Sequence, residues 1–171
     1  IANDASFGIV GEVLMMLSAT SLIDSMRASN STLLRSGVES SSGVTCLGKV
    51  GSDVPTVKNP EYFRDAFLAV QDLVKEGLIL AGHDISAGGL ITTLLEMTFA
   101  NQKGGIEANL NDIAEKDPVK LLFAENPGVV IQVKDADKKD IAKMLDNVGV
   151  GYVEIGKPID EREVVVKKDG R

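Results

Sequence analysis

The sequence predicts a layered α+β domain whose sheet is mixed or antiparallel. Helical patterns alternate with short apolar strand patterns from about residue 59 onward, and two strand patterns close the chain without a helix between them. With 171 residues, the chain is long enough for one main domain with its own core. Its 44% hydrophobic and 25% charged residues are typical of a globular protein.

The first third of the chain carries weaker signals. Apolar residues between about Gly8 and Arg27 favour a helix, although glycines interrupt the period. Residues 29–60 are rich in Ser, Gly and Pro, which favour turns and loops. We therefore expect residues 1–46 to form a linker or N-terminal extension, and residues 47–171 to form the domain.

A helix is predicted from Pro60, because Asn59 is a suitable N-cap, proline is favoured at the first helical position and Gly77 is a typical C-terminal stop. One apolar face is expected to pack on the sheet. Its residues are Phe63, Phe67, Val70 and Val74, with Ala66 and Leu73 beside them.

The remaining elements follow in alternation, and the helix after the first strand is apolar on nearly every side, which predicts burial between layers. The predicted strands are LILAGHD, GGIEANL, GVVIQVK, YVEIGKPI and REVVVKK, and the predicted helices are GGLITTLLEMTFANQ, DPVKLLFAE and DADKKDIAKMLDNVG.

Composition argues against several classes of function. A net charge of -7 without Lys or Arg clusters argues against a nucleic-acid surface. A single cysteine, Cys46, excludes an internal disulfide and a multi-cysteine metal site, and its expected role is that of a small, semi-buried residue. No apolar run reaches the length of a membrane span and no signal peptide is evident, so we expect a cytoplasmic protein without membrane contact.

The stretch HDISAGGL is the strongest candidate for a functional site. Ser86, Gly88 and Gly89 stand where a strand becomes a helix, and a helix N-terminus with glycines can hold a phosphate through backbone N–H groups. The same residues also make an ordinary capped turn. His83 and Asp84 could form an acid–base pair, but adjacent strand residues point to opposite faces. We expect these two side chains to brace the loop by bonding its backbone.

Two acids nearby need an explanation. Glu96 lies within an apolar helix, where a carboxylate requires a partner, and Glu125 precedes a strand. Metal binding by Asp84, Glu96 and Glu125 is an alternative, but structural pairing is the expectation because the three carboxylates lack a tight local spacing.

Three ordered motifs, NPEYFRDAFLAVQDLVKEGLILAG, HDISAGGLITTLLEMTFA and LLFAENPGVVIQV, together resemble the C-terminal domain of the aminoimidazole ribonucleotide (AIR) synthetase superfamily. Within it they most resemble the second such domain of the formylglycinamidine ribonucleotide synthase family. The resemblance covers roughly residues 47 to 159. It implies a three-layer α/β/α fold with a mixed sheet.

The resemblance also implies a reaction of the complete enzyme. Formylglycinamide ribonucleotide is converted to formylglycinamidine ribonucleotide with ammonia from glutamine, at the expense of ATP. Mg-ATP would be bound mainly by an N-terminal AIR-synthetase-like domain, and a glutaminase domain would supply the ammonia. This chain alone is then expected to be inactive and to contribute no catalytic residue and no metal ligand.

By the same resemblance, Ser86, Gly88 and Gly89 would hold the 5'-phosphate of the ribonucleotide, and His83 and Asp84 would support the turn. Two departures from the pattern stand out. Ala87 replaces the aspartate typical of the second domain, so SAGGL is also similar to the GAGGL of the first domain, and AENPG replaces the usual EE.G. Alternatives are another enzyme of the superfamily and a noncatalytic interaction or regulatory module.

Overall fold

The computed structural model describes residues 12–18, 57 and 59–170, which form a mixed sheet with helices on both faces. The strands are β1 (Glu12–Ser18), β2 (Ala81–Ile85), β3 (Gly105–Asn109), β4 (Gly128–Lys134), β5 (Tyr152–Ile159) and β6 (Val164–Lys167). The helices are α1 (Pro60–Lys75), α2 (Gly89–Phe99), α3 (Pro118–Phe123) and α4 (Lys138–Asn147), with a short 3-10 turn at Asp135–Asp137.

The strand order is β2-β4-β1-β5-β3-β6. All neighbours are antiparallel except β3 and β6, which run parallel. The predicted mixed sheet is therefore confirmed. The two closing strands do not pair with each other, because each pairs with β3 from opposite sides.

Strand β1 corrects the prediction for the N-terminal segment. Glu12–Ser18 form a strand between β4 and β5, where a helix from about Gly8 was expected. Residues 13–17 are all buried, so both faces of this central strand are covered. The strand also lies within residues 1–46, expected to be a linker or extension, so the folded unit includes at least this part of that segment.

Two separate apolar cores lie on the two faces of the sheet. On one face, Leu90 and Leu94 of α2 and Leu121 of α3 pack with Leu14 and Val130. On the other face, α1 and α4 cover the sheet through side chains that include Leu73, Ile141 and Leu145. This arrangement confirms the three-layer α/β/α fold.

Helix α1 has the predicted ends but a different packing face. Asn59 Oδ1 accepts a hydrogen bond from the Tyr62 N–H at 3.0 Å, Pro60 is the first helical residue, and Gly77 has a φ of 69° after the helix. The expected face is wrong for three of its residues. Phe63, Phe67 and Val74 are exposed, whereas the buried residues are Ala66, Ala69 and Leu73.

Helix α2 is buried on one face only, which corrects the expectation of burial on nearly every side. Leu90, Thr93 and Leu94 are buried, while Leu95 and Phe99 are exposed.

Two predictions concern parts of the chain that the structure does not describe. Cys46 lies outside the described residues, and so does the loop predicted before Pro60, apart from Val57 and Asn59. In the part of the chain that the structure describes, no helix combines the length and hydropathy of a membrane span.

Candidate functional site

The candidate site is the turn that joins β2, at one end of the sheet order, to the N-terminus of α2. Ser86 and Ala87 are exposed, Gly88 is half-buried and Gly89 is buried. Gly88 and Gly89 have φ values of 88° and 72°, a left-handed conformation that glycine adopts at little cost. The Gly89 N–H closes the turn by donating to the Ser86 carbonyl oxygen at 3.0 Å.

Close packing gives both glycines a structural reason. A Cβ added at Gly88 would lie 2.2 Å from Oγ1 of Thr92, one turn along α2. A Cβ added at Gly89 would lie 2.7 Å from the carbonyl oxygen of Leu122 and 2.7 Å from the carbonyl carbon of Phe123, at the end of α3. The backbone of the turn is therefore held against α3, where no side chain fits.

Glu125 completes the turn from a distant part of the sequence. The Gly88 N–H donates to Glu125 Oε1 at 3.0 Å, although the two residues are 37 positions apart. The sequence pattern left the role of this acid open. The structure places its carboxylate on a backbone donor at the N-terminus of α2, where negative charge is favourable.

His83, the middle residue of β2, lies between two carboxylates. Its Nδ1 is 2.8 Å from the Asp84 carbonyl oxygen and 3.5 Å from Asp84 Oδ1, and its Nε2 is 3.2 Å from Glu96 Oε2. The Asp84 carboxylate thus lies within ion-pair distance of His83, although adjacent strand residues point to opposite faces, and the hydrogen bond of Nδ1 goes to the Asp84 backbone. The partner expected for Glu96 is present, and it is His83.

His83 bonds the backbone as expected, whereas at Asp84 the bonded group is the backbone carbonyl and not the carboxylate. The Asp84 carbonyl oxygen accepts from Thr93 Oγ1 of α2 at 3.0 Å and lies within hydrogen-bond distance of His83 Nδ1. Thr93 Oγ1 also lies 3.3 Å from the Gly89 carbonyl oxygen. The end of β2 and the first turn of α2 are thereby tied together. The Asp84 carboxylate itself is 71% exposed.

The structure brings together Ser86, Gly88 and Gly89 as one turn, with His83 and Asp84 at its strand end and Glu125 beneath it. Among the described residues, no group of three or more His, Cys, Asp or Glu is placed to hold a metal ion. The alternative of a metal site at Asp84, Glu96 and Glu125 thus gains no support from the geometry.

Comparison with known proteins relates this chain to a family. The family of AIR synthase related proteins, C-terminal domain, matches residues 9–169. The human phosphoribosylformylglycinamidine synthase is 36% identical over 111 residues, which are 65% of this chain and 8% of the human protein. The Dictyostelium discoideum enzyme of the same name is 40% identical over 115 residues, 64% of this chain and 8% of that protein.

Another relative has a different name. The major tegument protein of Epstein-Barr virus is 35% identical over 118 residues, 67% of this chain and 9% of the viral protein. This chain thus spans less than a tenth of the length of each of these relatives.

Solved structures share the fold. Phosphoribosylformylglycinamidine synthase II from Thermotoga maritima superposes with a TM-score of 0.67 at 16% identity, over 93% of this chain and 24% of that one. A structure of T. maritima PurL complexed with FGAR gives a TM-score of 0.60 at 15% identity, over 93% of this chain and 26% of that one. The E. coli hydrogenase maturation protein HypE gives 0.56 at 18% identity, over 97% of this chain and 48% of that one.

The match over residues 9–169 includes β1 and extends past β6, so it covers the whole described sheet. It agrees with the resemblance found in the three sequence motifs and with the three-layer fold. The chain belongs to the family of AIR synthase related proteins, as a C-terminal domain.

Proposed function

We propose that this chain is a domain of a phosphoribosylformylglycinamidine synthase, and that its Ser86–Gly89 turn binds the 5'-phosphate of formylglycinamide ribonucleotide. The proposal is supported by the similarity to enzymes of that name and by the likeness to a PurL structure complexed with FGAR. The observation that carries it is the glycine turn at the N-terminus of α2, a position that favours a bound anion.

Each residue of the turn has a distinct role in this proposal. The exposed Ser86 donates its hydroxyl to a phosphate oxygen, and Gly88 donates its N–H. The Gly89 N–H already bonds the Ser86 carbonyl oxygen, and it joins the site as a shared donor, an arrangement common at helix termini. His83 and Asp84 act only by holding the end of β2 against α2.

The chemistry of the complete enzyme belongs elsewhere in this proposal. Mg-ATP activates the amide of the ribonucleotide in an N-terminal AIR-synthetase-like domain, and a glutaminase domain supplies ammonia. No described residue is assigned to ATP, to magnesium or to a chemical step. This chain contributes substrate binding and a surface for its partner domains, and alone it is inactive.

The first test of the proposal is the variant Ser86→Ala in the full-length enzyme that carries this chain. Loss of one charge-assisted hydrogen bond costs about 1.5 to 3 kcal/mol. The KM for formylglycinamide ribonucleotide should therefore rise about 10- to 150-fold. Asn147→Ala, an exposed change on α4 at the other face of the sheet, is the matched control. An unchanged KM in Ser86→Ala would refute the proposed role of the turn.

A noncatalytic interaction module is the second candidate function. It is favoured by the relative named major tegument protein, whose identity to this chain is similar to that of the synthases. The internal hydrogen bonds of Gly88 and Gly89 also fit a purely structural turn. This candidate predicts no ribonucleotide binding by the full-length protein.

A cytoplasmic location remains a prediction, and one relative is named as chloroplastic or mitochondrial.

A further inference from the structure

The contact between Glu125 and Gly88 has a consequence for any anion that binds at this turn. The Gly88 N–H is 3.0 Å from Glu125 Oε1, so a carboxylate already occupies the donor that a phosphate would use. Carboxylates and phosphates are both anionic acceptors and favour the same position at a helix N-terminus. Two such anions at one donor also repel each other.

We propose that Glu125 is a gate of the phosphate site: its carboxylate occupies the Gly88 N–H in the free protein and leaves when a phosphomonoester binds. The inference rests on the proposed function. It makes Glu125 a positioning residue that sets the affinity for the phosphate without contacting the reacting atoms.

The packing indicates that the Glu125 side chain, and not the backbone of the turn, moves when a phosphate binds. The turn has little room to shift, because a Cβ at Gly89 would already lie within 2.7 Å of the backbone of Leu122 and Phe123. Glu125 follows α3 and precedes β4, and it is only half-buried. Its flexible side chain can change rotamer while the backbone of the turn stays in place.

The negative charge of Glu125 determines how easily a phosphate displaces its side chain from the Gly88 N–H. A hydrogen bond to an ionised acceptor is roughly twice as strong as one between neutral groups. Glu125→Gln keeps the size and an acceptor oxygen but removes the charge, so a phosphate displaces it more easily. Glu125→Ala removes the competitor altogether.

The test compares two ligands in the full-length protein. Equilibrium binding is measured for formylglycinamide ribonucleotide and for its dephosphorylated ribonucleoside, with the parent, Glu125→Gln and Glu125→Ala. The control is Glu76→Gln, the same charge change at the exposed end of α1, on the opposite face of the sheet. Both Glu125 variants should bind the nucleotide more tightly, Glu125→Gln by roughly five- to tenfold and Glu125→Ala by at least as much, while binding of the nucleoside and by the control stays unchanged.

Several outcomes would contradict the proposed role of Glu125 as a gate. Weaker or unchanged nucleotide binding would show that Glu125 braces the turn, as would loss of folding in both variants. Equal tightening for both ligands would place the effect away from the phosphate. Failure of the proposed function has a different signature: the parent would then bind the nucleotide no better than the nucleoside, and Ser86→Ala would have no effect.

Discussion

Replacement of Gly89 by alanine tests how tightly the candidate turn is packed. In the structure, Gly89 combines a φ of 72° with a backbone contact that leaves no space for a side chain. An added Cβ would lie 2.7 Å from the Leu122 carbonyl oxygen and 2.8 Å from the Phe123 Cα. Because these are backbone atoms, the clash cannot be relieved by rotation of a side chain.

The expected loss of stability has two parts. A left-handed conformation costs a non-glycine residue about 1 to 2 kcal/mol. Forcing a methyl group into a filled space costs typically about 1 to 3 kcal/mol more. Alanine also lowers the entropy of the unfolded chain, which returns about 0.4 to 1 kcal/mol. We therefore expect Gly89→Ala to lower the free energy of unfolding by roughly 1 to 4 kcal/mol.

Two other glycines provide matched controls. Gly77 and Gly149 both have a φ of 69°, but a Cβ at either position meets no atom within 4 Å. Gly77→Ala and Gly149→Ala should therefore show the conformational cost without the clash. Urea unfolding measures the difference in unfolding free energy between the parent chain and each of the three variants, provided that their m-values are equal. A loss of stability in Gly89→Ala no larger than in the two controls would contradict the close packing of the turn against α3.

Three further predictions follow from the packing and the charges. Leu73→Ala should lower the free energy of unfolding by about 2 to 5 kcal/mol because Leu73 is fully buried, whereas Phe67→Ala should change it by less than about 0.5 kcal/mol. Equal losses in urea unfolding would contradict the observed packing face of α1. Tyr62→Phe should lower the free energy of unfolding by about 0.5 to 1.5 kcal/mol, because the Gly151 N–H donates to the Tyr62 hydroxyl at 2.8 Å. An unchanged midpoint of urea unfolding would refute this. The hydrogen bond from Lys167 lowers the pKa of Glu107 below its ordinary value. The parent should therefore be more stable than Glu107→Gln at neutral pH and lose that advantage as the pH falls through the lowered pKa; an advantage independent of pH between about 3 and 7 would contradict this.

Local chemistry explains which parts of the fold could be predicted from the sequence. The N-cap Asn59, Pro60 and the stop at Gly77 mark the ends of α1 because each acts on adjacent backbone. Strand β1 was missed because a strand buried on both faces is a continuous apolar run without alternation.

The packing face of α1 was mistaken for a related reason. The helix carries two apolar stripes, and periodicity alone ranks the larger side chains first. The stripe with Ala66 and Ala69 is the buried one. Small side chains there allow the helix to approach the sheet closely, a choice that depends on the neighbouring layer and that the helix sequence does not contain.

The candidate site divides in the same way. His83, Asp84, Ser86 and the two glycines are close in sequence, so their grouping was predictable from one short motif. Glu125 reaches the turn only through the packing of α3 and β4. The contact of His83 with Glu96 needs α2 to fold back along β2, which the motif alone does not specify.

The proposed role of the Ser86–Gly89 turn is to bind the phosphate of a ribonucleotide. The most direct measurement is equilibrium binding of formylglycinamide ribonucleotide and of its dephosphorylated ribonucleoside to the full-length protein and to Ser86→Ala. The variant should bind the nucleotide about 10- to 150-fold more weakly and the nucleoside equally well. Unchanged nucleotide binding, or an equal loss for both ligands, would contradict it.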